Sequence, residues 1–244
     1  MRKIADTFKR KWSEYILEII VIVLSIFGGL ELENWNENRK EKQALKNYLE
    51  KIATNIKEDI IVAQNMLESR KDHSDLCADA TEMIANRDFT SEAQSTITNA
   101  VFVMIIEQPL NYNRSGFESL KSSGYLQHLD NPKVEELIYE YYNASDKVIF
   151  EENSLQIWAN DLDLQLHKSG FFSQWIELEA RPNQNIQEVL GNYTDQLCEH
   201  EGHDIVLSLL YRGYLFTAYL TGFYEEQIIA GKEVIKAINA FRNE

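Results

Sequence analysis

The chain has 244 residues, with 24 Lys plus Arg against 39 Asp plus Glu, a formal net charge of −15. Hydrophobic residues make up 44%, with only 10 Gly and 3 Pro, which excludes an intrinsically disordered or collagen-like chain and leaves little material for the turns of a β-sandwich. The acidity repels phosphate backbones, so nucleic acid is not an expected partner, and two cysteines, Cys77 and Cys198, are too few for a disulfide scaffold or a four-thiolate metal site.

The charge is unevenly spread. Residues 1–11 carry Arg2, Lys3, Lys9, Arg10 and Lys11 against Asp6, so this tail is +4 and the remainder −19. Directly after it comes a segment whose uncharged core, Ile19–Leu30, is 12 residues long. Taken strictly, that length favours a signal-peptide core or a buried helix. Trp12, Tyr15 and Trp35 bracket it like interfacial anchors. Trp12 to Trp35 covers about 34 Å of helix, enough for a bilayer with its interfaces. Glu18 and Glu31 stand near the two ends, where a carboxylate reaches headgroup water. No A-x-A-like cleavage site follows. The reading is a transmembrane anchor over residues 12–35.

Orientation rests on what must cross. Arg39, Lys40, Lys42, Lys46 and Lys51 match the five cations of the tail, but a short cationic tail resists translocation whereas a long acidic domain does not. The expectation is a cytoplasmic tail, a single pass, and residues 36–244 outside, which in a Gram-negative bacterium means an inner-membrane anchor with a periplasmic domain. Within the span, Ser25 and Gly29 form a small-xxx-small pair, Gly28 lies beside it, and Glu18 precedes Ser25 by one heptad. Such a face suits a homo-oligomer through the membrane helix.

The helical pattern continues beyond Trp35. Leu45, Leu49, Ile52, Ile56, Ile60, Ala63 and Leu67 recur at spacings of 3 and 4. No Gly or Pro occurs between Leu30 and Gln108, so anchor and stalk are expected as one helix from about Trp12 to about Ser69. A short helix through Leu76, Ala80, Met83 and Ile84 should end at Asn86-Arg87-Asp88, and another should cover Thr90–Glu107 until Pro109 stops it. Ser115 with Glu118 matches a capping box, with Gly124 as the stop. Asn131-Pro132 starts a helix reaching towards Leu166, and Gly170 ends it. Phe171 to Trp175 and Arg181-Pro182-Asn183 read as a packed connection. The last helix runs from about Asp204 to Phe241, its aromatics Tyr211, Tyr214, Phe216, Tyr219, Phe223 and Tyr224 reading as core. The fold class is all-α: an N-terminal transmembrane helix continuing into an up-and-down bundle of long antiparallel helices.

Two stretches carry a resemblance. Asn34-Trp35-Asn36-Glu37, with Arg39, resembles the end of the N-terminal anchor in a family of uncharacterised bacterial single-pass membrane proteins with a domain of unknown function. Phe117 to Leu126, through Leu120 and Ser123-Gly124, with Asn131 and Tyr141-Tyr142 beyond, is similar to the same family's aromatic-x-x-Leu-x-x-Ser-Gly segment. Glu31 and Glu33 depart from its more neutral pattern. The resemblance implies a single-pass membrane protein and carries no activity with it.

No P-loop, dinucleotide fingerprint, nucleophile elbow, H-E-x-x-H or Glu-x-x-His pair is present. One cluster holds metal-type donors: Cys198, His200 and His203 lie within six residues, suited to zinc or copper but without a visible fourth ligand. Cys77 and Cys198 could alternatively pair. The leading expectation is a non-enzymatic, membrane-anchored interaction module with no cofactor, whose partners are the lipid bilayer, a second copy and another protein. The alternatives are a metal- or ligand-dependent sensor or enzyme at the Cys198 cluster, and a membrane-perturbing effector.

Overall fold

Helix α1 (Arg2–Ala85) runs through 84 residues without interruption, because nothing between its ends breaks the backbone ladder: two adjacent glycines and no proline. It absorbs both the expected stalk and the separate short helix expected around Leu76. Its end lies where the Asn-Arg-Asp run predicts, with Arg87 at φ 52 and the Asp88 N–H returning to the Met83 carbonyl at 2.9 Å. The computed structural model describes residues 2–88, 90–106, 110–170 and 201–242.

Among these residues every regular element is helical. Helix α2 (Ser91–Ile105) is capped by the Thr90 side chain, which accepts the Ala93 N–H. Helix α3 (Ser115–Ser123) begins where the Asn113 side chain accepts the Ser115 N–H at 3.1 Å, and left-handed Gly124 leads into a 3-10 turn, Tyr125–His128. Helix α4 (Pro132–Lys168) has Asn131 as its cap, accepting the Val134 N–H at 3.1 Å, with proline in the first turn; Gly170 follows its end at φ 77. Helix α5 (His203–Arg242) closes the described chain. The connection read through Phe171–Trp175 and Arg181–Asn183 lies outside the described residues.

The chain divides into two compact units. The first comprises Met1–Lys51 and Gly116–Asp130. Its buried apolar residues are Leu45 and Leu49 of α1 with Phe117, Leu120 and Leu129. Tyr48 and Tyr125 meet at 6.0 Å between ring centroids, and His128 Nδ1 lies 3.5 Å from Glu41.

The second unit comprises Ile52–Ser115 and Asn131–Glu244. Cross-helix bonds set its directions. Asp59 meets Tyr141 and Arg70 meets Glu152, both numbers rising together, so α1 and α4 are parallel. Ser145 meets Gln227 while Glu152 meets Tyr224, so α5 is antiparallel to α4. The expected bundle of long antiparallel helices is therefore corrected in part: α4 and α5 are antiparallel, but α1 and α4 run parallel. Ile52, Ile56, Ala63, Val148, Leu209, Leu210 and Leu220 are fully buried, each large side chain contributing about 2 kcal/mol by removal from water.

Two α5 glycines set the closest approaches. A Cβ on Gly213 would sit 2.7 Å from both the Cys77 and Met104 sulfurs, and one on Gly231 would sit 3.0 Å from Ile56 and Ile60. A side chain at either position would push neighbouring helices apart.

The aromatic reading of α5 is corrected. Tyr224 is buried, but Tyr211, Tyr214 and Tyr219 are exposed. The helix buries Val206, Leu209, Leu210, Gly213, Thr217, Leu220 and Tyr224 instead, a register of mostly aliphatic and small residues that leaves Phe216 and Phe223 half-buried and Tyr211, Tyr214 and Tyr219 outside. Arg212 is exposed and lies over the Phe216 and Trp158 rings, 4.2 and 5.6 Å from their centroids.

Candidate functional site

Two features stand apart from ordinary packing. One is the apolar run near the start of α1. Ile16, Leu17, Ile19, Ile20, Val21, Ile22, Val23, Leu24, Ile26, Phe27 and Leu30 are all exposed. Successive residues turn by about 100°, so consecutive apolar residues put hydrocarbon on every side. Cβ atoms built on Gly28 and Gly29 would meet nothing within 4 Å. Trp12 and Trp35, 57% and 61% exposed, bracket the run. The Arg39 guanidinium lies 5.7 Å from the Trp35 ring centre. Glu18 is exposed, and the Ser25 hydroxyl donates to its own helix, to the Val21 carbonyl at 2.7 Å. Ser25 therefore spends its donor within α1.

Length qualifies the expected span. Among the described residues, no helix is long and apolar enough to cross a membrane. The uncharged run of 12 residues rises only about 18 Å, against a hydrocarbon core of about 30 Å, and Glu18, Glu31 and Glu33 interrupt any longer window. The transmembrane assignment of residues 12–35 thus finds no support from hydropathy over this stretch.

The second feature is a chain of buried polar groups inside the second unit. Arg70 of α1 reaches Glu152 of α4 through two bonds, Nε to Oε1 at 2.8 Å and Nη2 to Oε2 at 2.5 Å. The Tyr224 hydroxyl of α5 donates to the same Oε1 at 2.5 Å. Three long helices thus converge on one carboxylate. The Tyr224 hydroxyl is held well above the ordinary phenol range, by burial first and then by the Glu152 charge.

Beside this lock, His73 Nδ1 lies 3.5 Å from Arg70 Nη1, and its Nε2 lies 3.3 Å from Ser69 Oγ. A guanidinium only donates, so Nδ1 is the acceptor and the proton belongs on Nε2. Burial, and then the Arg70 charge, hold the imidazole below its ordinary value.

Further along, Asp59 accepts the Asn113 N–H at 2.9 Å and the Tyr141 hydroxyl at 3.1 Å. Burial nevertheless raises its carboxyl above the usual range, the two bonds opposing the shift only in part. Gln227 donates to Ser145 at 3.1 Å, and Ser145 donates to the Tyr141 carbonyl at 3.0 Å. The Tyr112 hydroxyl and the Gln227 carbonyl oxygen are buried without a hydrogen-bond partner among the described residues, although Gln227 lies near enough to act on the Tyr112 hydroxyl.

This arrangement ties helices together and offers little chemistry. The groups of the lock are buried and engaged with one another. A groove of about 750 Å³ between α4 and α5 is lined by Glu140, Asn143, Lys147, Glu225, Glu226 and Glu233 with Gly222 and apolar residues, and its lining contains no Ser, Thr, Cys or His. Sequence reasoning missed Asp59, Arg70 and Glu152. The available signal was register: Asp59 lies three residues after Ile56, Arg70 three after Leu67, and Glu152 four after Val148, all core positions on their helices.

Of the expected metal donors, Cys198 and His200 lie outside the described residues. His203 begins α5, with Nδ1 buried and unpartnered among the described residues. Among the described residues no group of three or more His, Cys, Asp or Glu could hold a metal ion. Cys77 is a buried free thiol, which burial pushes up to about 12. No family model, curated protein or solved structure matches the chain.

Proposed function

We propose that the chain is a membrane-anchored, non-enzymatic helical module that self-associates and engages another protein as scaffold, accessory subunit or sensor. The observation that carries this reading is the apolar run of α1, exposed on every side. A helix apolar all round is covered by protein or by lipid. Eleven large apolar side chains, each about half exposed, represent on the order of 10 kcal/mol of unfavourable contact with water.

A bilayer accommodates this helix through its ends. With Trp12 and Trp35 at the two interfaces, the intervening helix of about 34 Å matches hydrocarbon plus part of the headgroup layers. Glu18 and Glu31 then stand near the edges, where the cost of a charge falls well below its value at the centre. The basic tail of residues 1–11, which resists translocation, stays in the cytoplasm, and residues 36–244 lie on the other side. Open space at Gly28 and Gly29 admits a second α1 at close backbone distance.

Carbonate extraction tests the anchoring. The intact chain should stay with the membrane pellet, and a chain lacking residues 2–35 should be released. Release of the intact chain refutes the proposal. Cross-linking in native membranes should trap a homo-oligomer or a defined partner; a clean monomer with neither refutes the interaction half.

A further inference from the structure

We infer that α1, just past its apolar run, binds the headgroup of an anionic phospholipid through Trp35, Arg39 and Lys42. The inference rests on the membrane-anchored reading above and extends it to the chemical class of lipid. Residues 35, 39 and 42 are separated by four and three positions, so they fall within an arc of about 60° on one helix face. All three side chains are exposed. Arg39 is held over the Trp35 ring at 5.7 Å, which fixes a guanidinium beside the residue that marks the interface.

Depth along the helix agrees with a headgroup. Arg39 lies about 6 Å and Lys42 about 10 Å beyond Trp35, while the headgroup layer on each side of the hydrocarbon is about 5–7 Å thick. A long basic side chain reaches the phosphate plane from either position. The acidic neighbours are distributed so that this face keeps its sign. Glu33 and Glu37 lie on the opposite side of the helix from residue 35, by their spacing of two, and Glu41 lies about 120° around the helix from it, 3.5 Å from His128 Nδ1. Glu31, one turn before Trp35, is the carboxylate nearest this face, about 20° beyond the edge of the arc and on the hydrocarbon side of the basic pair. Continuity with the apolar run selects a lipid over an acidic protein: the phosphate and the acyl chains belong to one molecule, and both halves of the surface are adjacent along α1.

The full-length chain is reconstituted in phosphatidylcholine vesicles containing a trace of spin-labelled phosphatidylglycerol or, separately, spin-labelled phosphatidylcholine. The motionally restricted lipid fraction is read by electron paramagnetic resonance. Restricted phosphatidylglycerol should exceed restricted phosphatidylcholine severalfold at low salt, up to about fivefold per cation. The preference should collapse in about 1 M salt, where screening acts within about 3 Å. In R39Q/K42Q the phosphatidylglycerol fraction should fall to the phosphatidylcholine level, with the latter unchanged; both substitutions are at exposed positions, and far-UV circular dichroism checks that the helix is kept. Equal fractions in the parent, or a preference that R39Q/K42Q leaves intact, overturn the inference while leaving the anchor standing. No restricted lipid of either kind overturns the anchor itself, and the inference with it.

Discussion

Replacing Glu152 by Gln examines the buried lock most directly. The side chains of Arg70 and Glu152 are 6% and 7% exposed, so the guanidinium left behind has almost no access to water. Glutamine keeps one oxygen for Arg70 Nε or Tyr224, but its NH₂ then faces Arg70 Nη2, donor against donor. Breaking a buried ion pair from one side costs about 3–5 kcal/mol, because the remaining charge is uncompensated. For a cooperative unit of this size that corresponds to a fall in Tm of about 6–20 °C. The triple replacement R70M/E152L/Y224F removes both charges and the hydroxyl that donates to Glu152. It should return to within about 1 kcal/mol of the parent or exceed it, since an apolar filling of similar volume carries no desolvation cost. Urea unfolding of the full-length chain, followed by far-UV circular dichroism at constant m-value, measures both differences. A Glu152→Gln cost below about 1 kcal/mol, or a triple variant as unstable as the single one, would refute the reasoning that this pair is dry.

Gly231→Ala should lower stability by about 1–3 kcal/mol by overpacking against Ile56, Ile60 and Tyr141, whereas Gly222→Ala, whose Cβ meets nothing within 4 Å, should raise it by about 0.5–1 kcal/mol; thermal melts of the two separate packing from helix propensity. Asp59 is held above its ordinary value of 3.8 by burial, so the folded state binds its proton more tightly than the unfolded one, and this contribution to stability declines as pH rises from about 4 through the raised value. Relative to the parent, Asp59→Asn should therefore gain stability as pH increases over that range, and parallel Tm profiles between pH 3.5 and 7 would count against the assignment. Cys77, fully buried with its thiol pushed up to about 12, should resist maleimide at pH 8 and react only on unfolding, as peptide mass spectrometry at that residue would show.

Helix boundaries were legible wherever a local signal decided them. Asn131-Pro132, Gly124 and the Asn86-Arg87-Asp88 run each satisfy or break backbone bonds within a few residues, and each acts in the structure as its chemistry dictates. The α1 stripe is buried from Leu45 to Ala63 and half-buried at its last member, Leu67, and Val134, Leu137, Ile138, Tyr141, Val148 and Leu155 of α4 are buried. The α5 aromatics were not legible in this way. On that helix almost every face carries an apolar residue, so composition does not choose among faces; the close approach at Gly213 and Gly231 does, and it turns Tyr211, Tyr214 and Tyr219 outward.

The amino-acid sequence by itself determined an all-helical chain, its caps and stops, and one uninterrupted apolar run between two tryptophans, because these depend on interactions within a turn or two of helix. Tertiary structure alone decided that α1 and α4 run parallel and that Arg70, Glu152 and Tyr224 share one carboxylate. Those partners are 82 and 72 residues apart in sequence, and a polar residue at a core register position says that it will be buried without saying which distant group will meet it.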